Sequence, residues 1–135
     1  MSLERFVEAQ DRVYERVREE LQRGEKRSHW MWFVFPQLAG LGRSDMARRY
    51  AIASLEEARA YLAHPMLGAR LRECVGILND LEGRTIHQVM EYPDDLKLRS
   101  CLTLFARAAA DEQAFRDALD KYYAGEMDPE TLRLL

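Results

Sequence analysis

The sequence predicts an all-α fold, a single compact domain over residues 1–135 with about seven or eight helices. Apolar residues recur at spacings of three and four along most of the chain, which indicates amphipathic helices. Serine, threonine and aspartate residues that can cap helix starts alternate with glycines and prolines that end helices. Alternation with a period of two, typical of strands, is not evident outside one aromatic segment. At 135 residues, roughly two-thirds of the unfolded surface can be buried without a disulfide or metal.

The first helix is predicted from Ser2, as its cap, to about Arg23, before Gly24. Gln10 lies in the middle of its apolar arc. An amide buried without hydrogen-bond partners costs on the order of 1–3 kcal/mol. Gln10 is therefore either tied into a polar network in the core or pointed into a pocket.

The next stretch, residues 26–44, is the aromatic segment, and the rest of the chain is organised around it. Its composition suits a strand, but Ser28 could also cap one or two helical turns through Trp32 or Phe33. Pro36 ends either structure, because it has no N–H to donate and restricts the residue before it.

Six consecutive apolar residues at positions 30–35 cannot all face the same way. Most are expected in the core, but large rings left at a cleft mark sites for flat ligands. Trp30 and Trp32 are therefore candidate ligand-binding residues, and His29 and Gln37 bracket them with groups that donate and accept hydrogen bonds. For His29, a catalytic role and an ordinary surface role are both open.

A glycine turn at residues 38–42 leads into a helix capped by Ser44, with Arg43 beside it. Free backbone N–H groups at such a start, together with Arg43, make an anion site in principle. An ordinary turn and cap explains the same residues.

The remaining helices are predicted at about residues 45–51, 55–63, 66–81, 85–91, 94–110, 111–124 and 128–135. Ser54 with Glu57 and Thr85 with Gln88 have the spacing of capping boxes. Asp111 and Asp128 are expected to cap the last two helices.

The helix that begins at Asp94 carries a polar stripe, Lys97, Ser100 and Thr103, beside its apolar arc. The helix dipole stabilises the ionised form of Asp95 in the first turn. An ionised carboxylate suits a site where an oxocarbenium ion develops. The alternative is a helix cap with a solvated ion pair.

Charge and motifs exclude several classes of protein. The formal net charge is −3, and charges of both signs are interleaved, which argues against a dedicated nucleic-acid face or a membrane-surface protein. No P-loop or nucleophile elbow is present, and the three histidines lack metal-ligand spacing, so no metal and no cofactor is predicted. Cys74 and Cys101 are expected to be reduced core thiols, and the charged amino terminus does not look like a signal peptide, so a cytoplasmic location is expected.

Together these motifs resemble a family of small bacterial proteins, the domain-of-unknown-function family eighteen-ten, sometimes labelled calpastatin-like. The resemblance covers nearly the whole chain, and the segment HWMWFVFPQ is its most specific part. The other matching positions are Ala9-Gln10, Gly40-Leu41-Gly42, Tyr61-Leu62, His64-Pro65, Leu67-Gly68, Asp95-x-Lys97-Leu98-x-Ser100, Thr103-Leu104-Phe105, Gly125, Asp128, Thr131 and Leu132. The resemblance implies an all-helical fold and carries no settled activity.

The helical layout and the Ala9-Gln10 helix are also similar to NADAR-type proteins, which act on N-glycosidic bonds in ADP-ribose-linked compounds. That similarity implies a mechanism as a hypothesis. Trp30 or Trp32 stacks a base, and Arg43 or Lys97 holds a phosphate. Asp95 stabilises positive charge at the ribose carbon, and His29 protonates the leaving group.

The leading hypothesis is a pocket for a nucleotide-, ribose-phosphate- or ADP-ribose-like ligand, with N-glycosidic hydrolysis as its possible reaction. The pocket is predicted between the aromatic segment, Gln10 and the helix at 95–103. The candidate catalytic residues are His29, Asp95 and Lys97, and the candidate ligand-binding residues are Gln10, Trp30, Trp32, Gln37, Arg43, Ser100 and Thr103. The alternative is a non-catalytic protein-protein interaction module with an aromatic surface.

Overall fold

The computed structural model describes residues 2–135, and ten α-helices lie in that range. They are α1 Glu4–Asp11, α2 Tyr14–Arg23, α3 Met31–Val34, α4 Asp45–Arg49, α5 Leu55–Ala63, α6 Pro65–Asp80, α7 Ile86–Met90, α8 Asp94–Ala108, α9 Gln113–Tyr123 and α10 Pro129–Leu134. The all-α prediction is confirmed. Within the described residues the β-type pairing is a single isolated bridge between Leu38 and Ile52.

Helix α8 lies at the centre of the fold. Its residues 98 and 100–106 are buried, and it packs against α5, α7, α9 and α10. Helix α6 forms a second centre and contacts α1, α2, α5 and α9. The core is therefore one connected set of helices.

The first predicted helix is two helices, and the prediction of a continuous helix is wrong at Val13. Val13 has φ −133° and ψ −1°, outside the helical region, and its N–H donates to the carbonyl of Gln10. The apolar pattern continues across the break, so periodicity could not reveal it. Ser2 is not the cap either, because the residue that precedes the first turn is Leu3. The predicted end at Gly24 is confirmed by its left-handed φ of 70°.

Most of the predicted caps are confirmed. The side chains of Ser44, Thr85 and Asp128 each accept a hydrogen bond from a backbone N–H in the first turn of the following helix. Ser54 also caps its helix, but the Glu57 carboxylate accepts from the N–H of Ala53, so the predicted box is only half formed.

Two helix boundaries differ from the prediction. Helix α8 ends at Ala108, and the residue that precedes α9 is Glu112, so the predicted cap at Asp111 is wrong. His64 was placed in a connection, whereas its Nδ1 accepts hydrogen bonds from the N–H groups of Met66 and Leu67 and caps α6.

Cys74 and Cys101 are free and buried, as predicted. No helix among residues 2–135 combines the length and the apolar character needed to cross a membrane. The same residues contain no group of three or more side chains arranged to hold a metal ion.

Candidate functional site

The aromatic segment forms a one-turn helix, α3, and not a strand. The turn spans Met31–Val34 and ends where Phe35 leaves helical geometry ahead of Pro36. A single turn is not stable by itself, because helix nucleation is unfavourable. Tertiary contacts must therefore hold α3, and Ser28 is not its cap, since Trp30 precedes the turn.

Glu20 of α2 anchors the start of the segment. Its carboxylate accepts hydrogen bonds from the N–H groups of Arg27 and Ser28, from the Ser28 hydroxyl, and from the indole N–H of Trp30 at 2.9 Å. Burial alone would raise the pKa of Glu20, but these hydrogen bonds outweigh it and lower the pKa to about 2. Trp30 itself is fully buried. Its indole is thus engaged in the core and by Glu20.

Trp32, the second tryptophan of the segment, is not buried in the core as Trp30 is. Trp32 is only partly buried and lines a narrow cleft between α3, α4 and α8, here called the Trp32 cleft. The cleft is lined by Met31, Trp32, Phe35, Gln37, Ala47, Tyr50 and Lys97. Three predicted site residues, Trp32, Gln37 and Lys97, therefore meet in one place.

Lys97 covers the Trp32 ring, with Nζ 5.8 Å from the ring centroid. The cavity volume beneath it is about 10 Å³, room for roughly one water molecule. The nearest carboxylate to Lys97 is Asp94, 4.0 Å away, and Asp94 has a closer partner in Lys26 at 2.9 Å. Its ion pair with Asp94 is therefore weak, and Lys97 forms one wall of the cleft.

Gln10 lies in a core network and does not line the Trp32 cleft. Its Nε2 donates to the carbonyl of Phe33 at 2.7 Å and to the hydroxyl of Tyr61 at 3.0 Å, and its Oε1 accepts from Arg70 at 3.3 Å. The side chain is 2 % exposed. Of the two readings of Gln10, these contacts favour the core network, in which it joins α1 to α3.

The polar stripe of α8 divides between different partners. The Ser100 hydroxyl donates to the Asp128 carboxylate, and the Thr103 hydroxyl accepts from the N–H of Asp128. Both therefore hold the start of α10. Asp95 faces His87, with 3.5 Å between its Oδ2 and the histidine Nδ1, and it does not line the Trp32 cleft.

His29 and Arg43 are exposed, and neither side chain makes a hydrogen bond or ion pair with another residue in the described range. Neither lines the Trp32 cleft. The arrangement thus brings together the candidate stacking ring, one cation and one amide, and leaves the candidate acid and carboxylate outside.

A larger cleft, which the sequence did not indicate, shares Tyr50 with the first. It lies between α1, the α1–α2 break and the end of α4, and we call it the arginine cleft. It is lined by Arg5, Glu8, Ala9, Arg12, Val13, Phe33, Arg49 and Tyr50, and its volume is about 240 Å³. The arginines come from positions up to 44 residues apart, and no local motif links them.

Comparison with known proteins decides the family. The model of the family described as "Protein of unknown function (DUF1810)" matches residues 1–135. The chain belongs to this family. The resemblance to this family, stated from motifs along nearly the whole chain, is thereby confirmed.

A solved structure has nearly the same fold. The chain is similar to the conserved hypothetical protein Rv1873 from Mycobacterium tuberculosis, with 58% sequence identity and a TM-score of 0.97. The match covers 98% of this chain and 95% of that one. Among curated proteins, none matches the chain. The fold is shared with a protein whose description names no function, so function has to be argued from the site.

Proposed function

We propose that the Trp32 cleft binds a small molecule that carries a flat ring and a negative charge, of the nucleotide or ADP-ribose type. The observation that carries the proposal is the position of the Lys97 ammonium over the Trp32 ring, with the Gln37 side chain lining the same cleft. An indole offers a stacking face, an ammonium offers a charge partner for phosphate, and an amide offers both a donor and an acceptor.

Binding requires Lys97 to move, because the present volume of about 10 Å³ admits no base. Lys97 has four rotatable side-chain bonds, a long contact to Asp94 and the contact with the Trp32 ring, so moving it costs on the order of 1 kcal/mol. A ring that replaces it on Trp32 would leave the ammonium free to pair with a phosphate on the same ligand. The side chain that closes the cleft would then contribute to the affinity.

N-glycosidic hydrolysis stays a prediction beyond this binding step. It requires a carboxylate beside the ribose carbon and an acid beside the leaving group. The carboxylate of Asp95 faces His87, and the side chain of His29 is exposed to solvent. Neither residue lines the Trp32 cleft, so the arrangement supports binding more than hydrolysis.

The binding proposal is tested by isothermal titration with AMP, ADP-ribose and ribose 5-phosphate. AMP and ADP-ribose should bind, whereas ribose 5-phosphate, which lacks a base, should bind at least about tenfold more weakly. Trp32→Leu and Lys97→Gln should each weaken AMP binding by about tenfold or more. The same titrations, followed by chromatography of the ligand, report any cleavage.

Lys121→Gln is the matched control, because Lys121 also lies over an aromatic ring, 5.4 Å from the centroid of Tyr122. It should bind AMP as the unmodified chain does. If Trp32→Leu and Lys97→Gln also bind AMP normally, or if no ring-bearing ligand binds at millimolar concentration, the proposal is wrong.

The alternative, an interaction module with an aromatic surface, has less support from the arrangement. Trp30, Phe33 and Phe35 are each at most 7% exposed, so most of the aromatic segment is not available to a partner. Trp32 is the most exposed ring of this segment, whereas Phe33 and Phe35 line clefts but are almost completely buried.

A further inference from the structure

We propose that the arginine cleft is a second binding site, one that takes an anion of the phosphate or diphosphate class. The inference concerns different residues from those of the Trp32 cleft, and it does not depend on ligand binding there.

The formal charge of the cleft lining is opposite in sign to the net charge of the whole chain. Three arginines against one glutamate give its lining a formal charge of +2, whereas the chain carries −3. Arg12, Arg49 and Glu8 have no oppositely charged partner within 4.0 Å among the described residues, although Glu8 and Arg12 are four apart on the chain and could have paired. Two guanidinium groups therefore remain available to a ligand.

Arg5 joins the two sides of the cleft through hydrogen bonds to the backbone. Its guanidinium donates to the carbonyls of Arg49 at 2.8 Å and Ala51 at 2.9 Å, and its side chain is only 11% exposed. These bonds hold the end of α4, and with it the backbone of Arg49, against α1. The nearest carboxylate, Glu57, is 3.8 Å away, so the charge of Arg5 is only partly compensated.

The floor of the cleft is aromatic. Phe33 and Tyr50 are each 7% exposed, with ring centroids 5.3 Å apart. The Tyr50 hydroxyl makes no hydrogen bond to a described residue. Its oxygen is not one of the solvent-inaccessible polar atoms among those residues, so it is in contact with solvent.

Size and donor geometry select the class of ligand. A volume of about 240 Å³ lies just below the usual range for small-molecule sites, which suits a phosphate or diphosphate with a small substituent. Guanidinium groups donate two parallel N–H bonds and match phosphate oxygens better than an ammonium does. An apolar floor beneath them lowers the competition from water.

The test is isothermal titration at low ionic strength with inorganic phosphate, pyrophosphate, AMP and malonate. Pyrophosphate should bind more tightly than phosphate, and both more tightly than the dicarboxylate malonate. Arg12→Gln and Arg49→Gln should each weaken pyrophosphate binding by about tenfold with an unchanged melting temperature, since both side chains are exposed. Glu8→Gln should strengthen it several-fold, because the substitution removes the opposing charge.

Arg16→Gln is the matched control, an exposed arginine of α2 that does not line the cleft. It should leave pyrophosphate binding unchanged. Equal losses in Arg16→Gln would indicate diffuse surface charge and overturn the proposal. Normal binding in Arg12→Gln and Arg49→Gln, or tighter binding of malonate than of phosphate, would overturn it as well.

The same panel separates this site from the Trp32 cleft. Lys97→Gln should bind pyrophosphate normally, and loss of binding in that variant would place the anion in the Trp32 cleft and contradict the inference. AMP binding that falls in Arg12→Gln identifies a phosphate ester as the occupant, whereas AMP binding that falls only in Trp32→Leu leaves the free anion as the occupant. Failure of AMP to bind at Trp32 would not change the pyrophosphate result.

Discussion

Glu20 is a carboxylate with 5% of its surface exposed, and it gathers hydrogen bonds from three residues of the segment that follows α2. A buried charge is costly unless hydrogen bonds replace its hydration. Here the replacement is complete enough to hold the pKa of the carboxylate at about 2, well below its ordinary value of 4.5. The ionised form of Glu20 therefore stabilises the fold.

The first prediction concerns stability at acid pH. Because the folded-state pKa is lowered, the contribution of Glu20 is fully present above about pH 4.5 and is lost as the pH falls from there toward 2. At 1.36 kcal/mol per pKa unit, it amounts to about 3 kcal/mol. Glu20→Gln should lower the free energy of unfolding at pH 7 by about 1–3 kcal/mol, because the amide N–H₂ faces donors.

Urea denaturation at several pH values between 7 and 2.5 measures both effects. Glu20→Gln should show a shallower loss of stability with acid than the unmodified chain. Glu19→Gln, a change at the exposed neighbouring position, should keep the full pH dependence. A steep acid loss that survives in Glu20→Gln would show that other carboxylates cause it.

The burial of Glu20 could have been predicted from the periodicity of the sequence. Glu20 lies between Val17 and Leu21 on the apolar face of its helix, where a charge needs an explanation. Gln10 was recognised by this argument, and its burial is confirmed. Which hydrogen-bond partners the two side chains would meet could not be predicted. The indole N–H of Trp30 reaches Glu20, and the carbonyl of Phe33 reaches Gln10, only through the tertiary fold.

At the scale of elements, the junction of α5 and α6 depends on a close backbone approach. A Cβ atom at Gly68 would lie 2.1 Å from the carbonyl oxygen of Leu62 and 2.7 Å from the guanidinium of Arg72. The carbonyl belongs to the preceding helix and cannot move without separating the two helices. Gly68 thus sets the distance between α5 and α6.

The second prediction compares the same substitution at two positions of α6. Gly68→Ala should destabilise the protein by about 1–3 kcal/mol through overpacking. Gly76→Ala should stabilise it by about 0.5–1 kcal/mol, because nothing lies within 4 Å of the added Cβ and alanine is the better helix former.

Equilibrium urea denaturation of both variants provides the comparison, and their opposite signs are the result to look for. Equal destabilisation by both changes would mean that helix α6 tolerates no alanine for a reason other than the contact with Leu62.

Elements defined by local chemistry were predicted, and elements defined by packing were not. Ser44, Thr85 and Asp128 were identified as caps because a cap needs only one side chain and the next turn. The choice between strand and helix for the aromatic segment stayed open, since a single turn has no periodicity of its own. The break at Val13 was missed because the apolar pattern continues across it.

At the scale of the whole molecule, two thiols are sealed in the core formed around α6 and α8. Cys74 and Cys101 are at most 1% exposed. Burial raises the pKa of Cys74 to about 12 and that of Cys101 well above its ordinary value, because a thiolate would be desolvated there. Both thiols should therefore be inert in the folded protein.

The third prediction is that neither thiol reacts with a thiol-specific reagent at pH 8 in the native state. Both should react in concentrated guanidinium chloride, which exposes them. Rapid modification of either cysteine without denaturant would contradict the packing of α6 against its neighbours.

The candidate site shows how far a sequence can predict a location. Trp32, Gln37 and Lys97 were named from the sequence, and they meet in one cleft. The sequence could not separate Trp32 from Trp30, because a one-turn helix between them decides which indole turns inward. The arginine cleft was not predicted, since Arg5 of α1, Arg12 of the α1–α2 break and Arg49 of α4 come together only in the folded chain.

The unequal surroundings of the two indoles give the protein an internal optical reporter. Trp30 is fully buried and hydrogen-bonded to Glu20, so its fluorescence should be at short wavelength and should resist quenching by iodide. Trp32 is partly exposed beside Lys97 and should account for the red-shifted emission that iodide quenches. A change in the fluorescence of Trp32 would report displacement of Lys97 from its ring, without any attached dye.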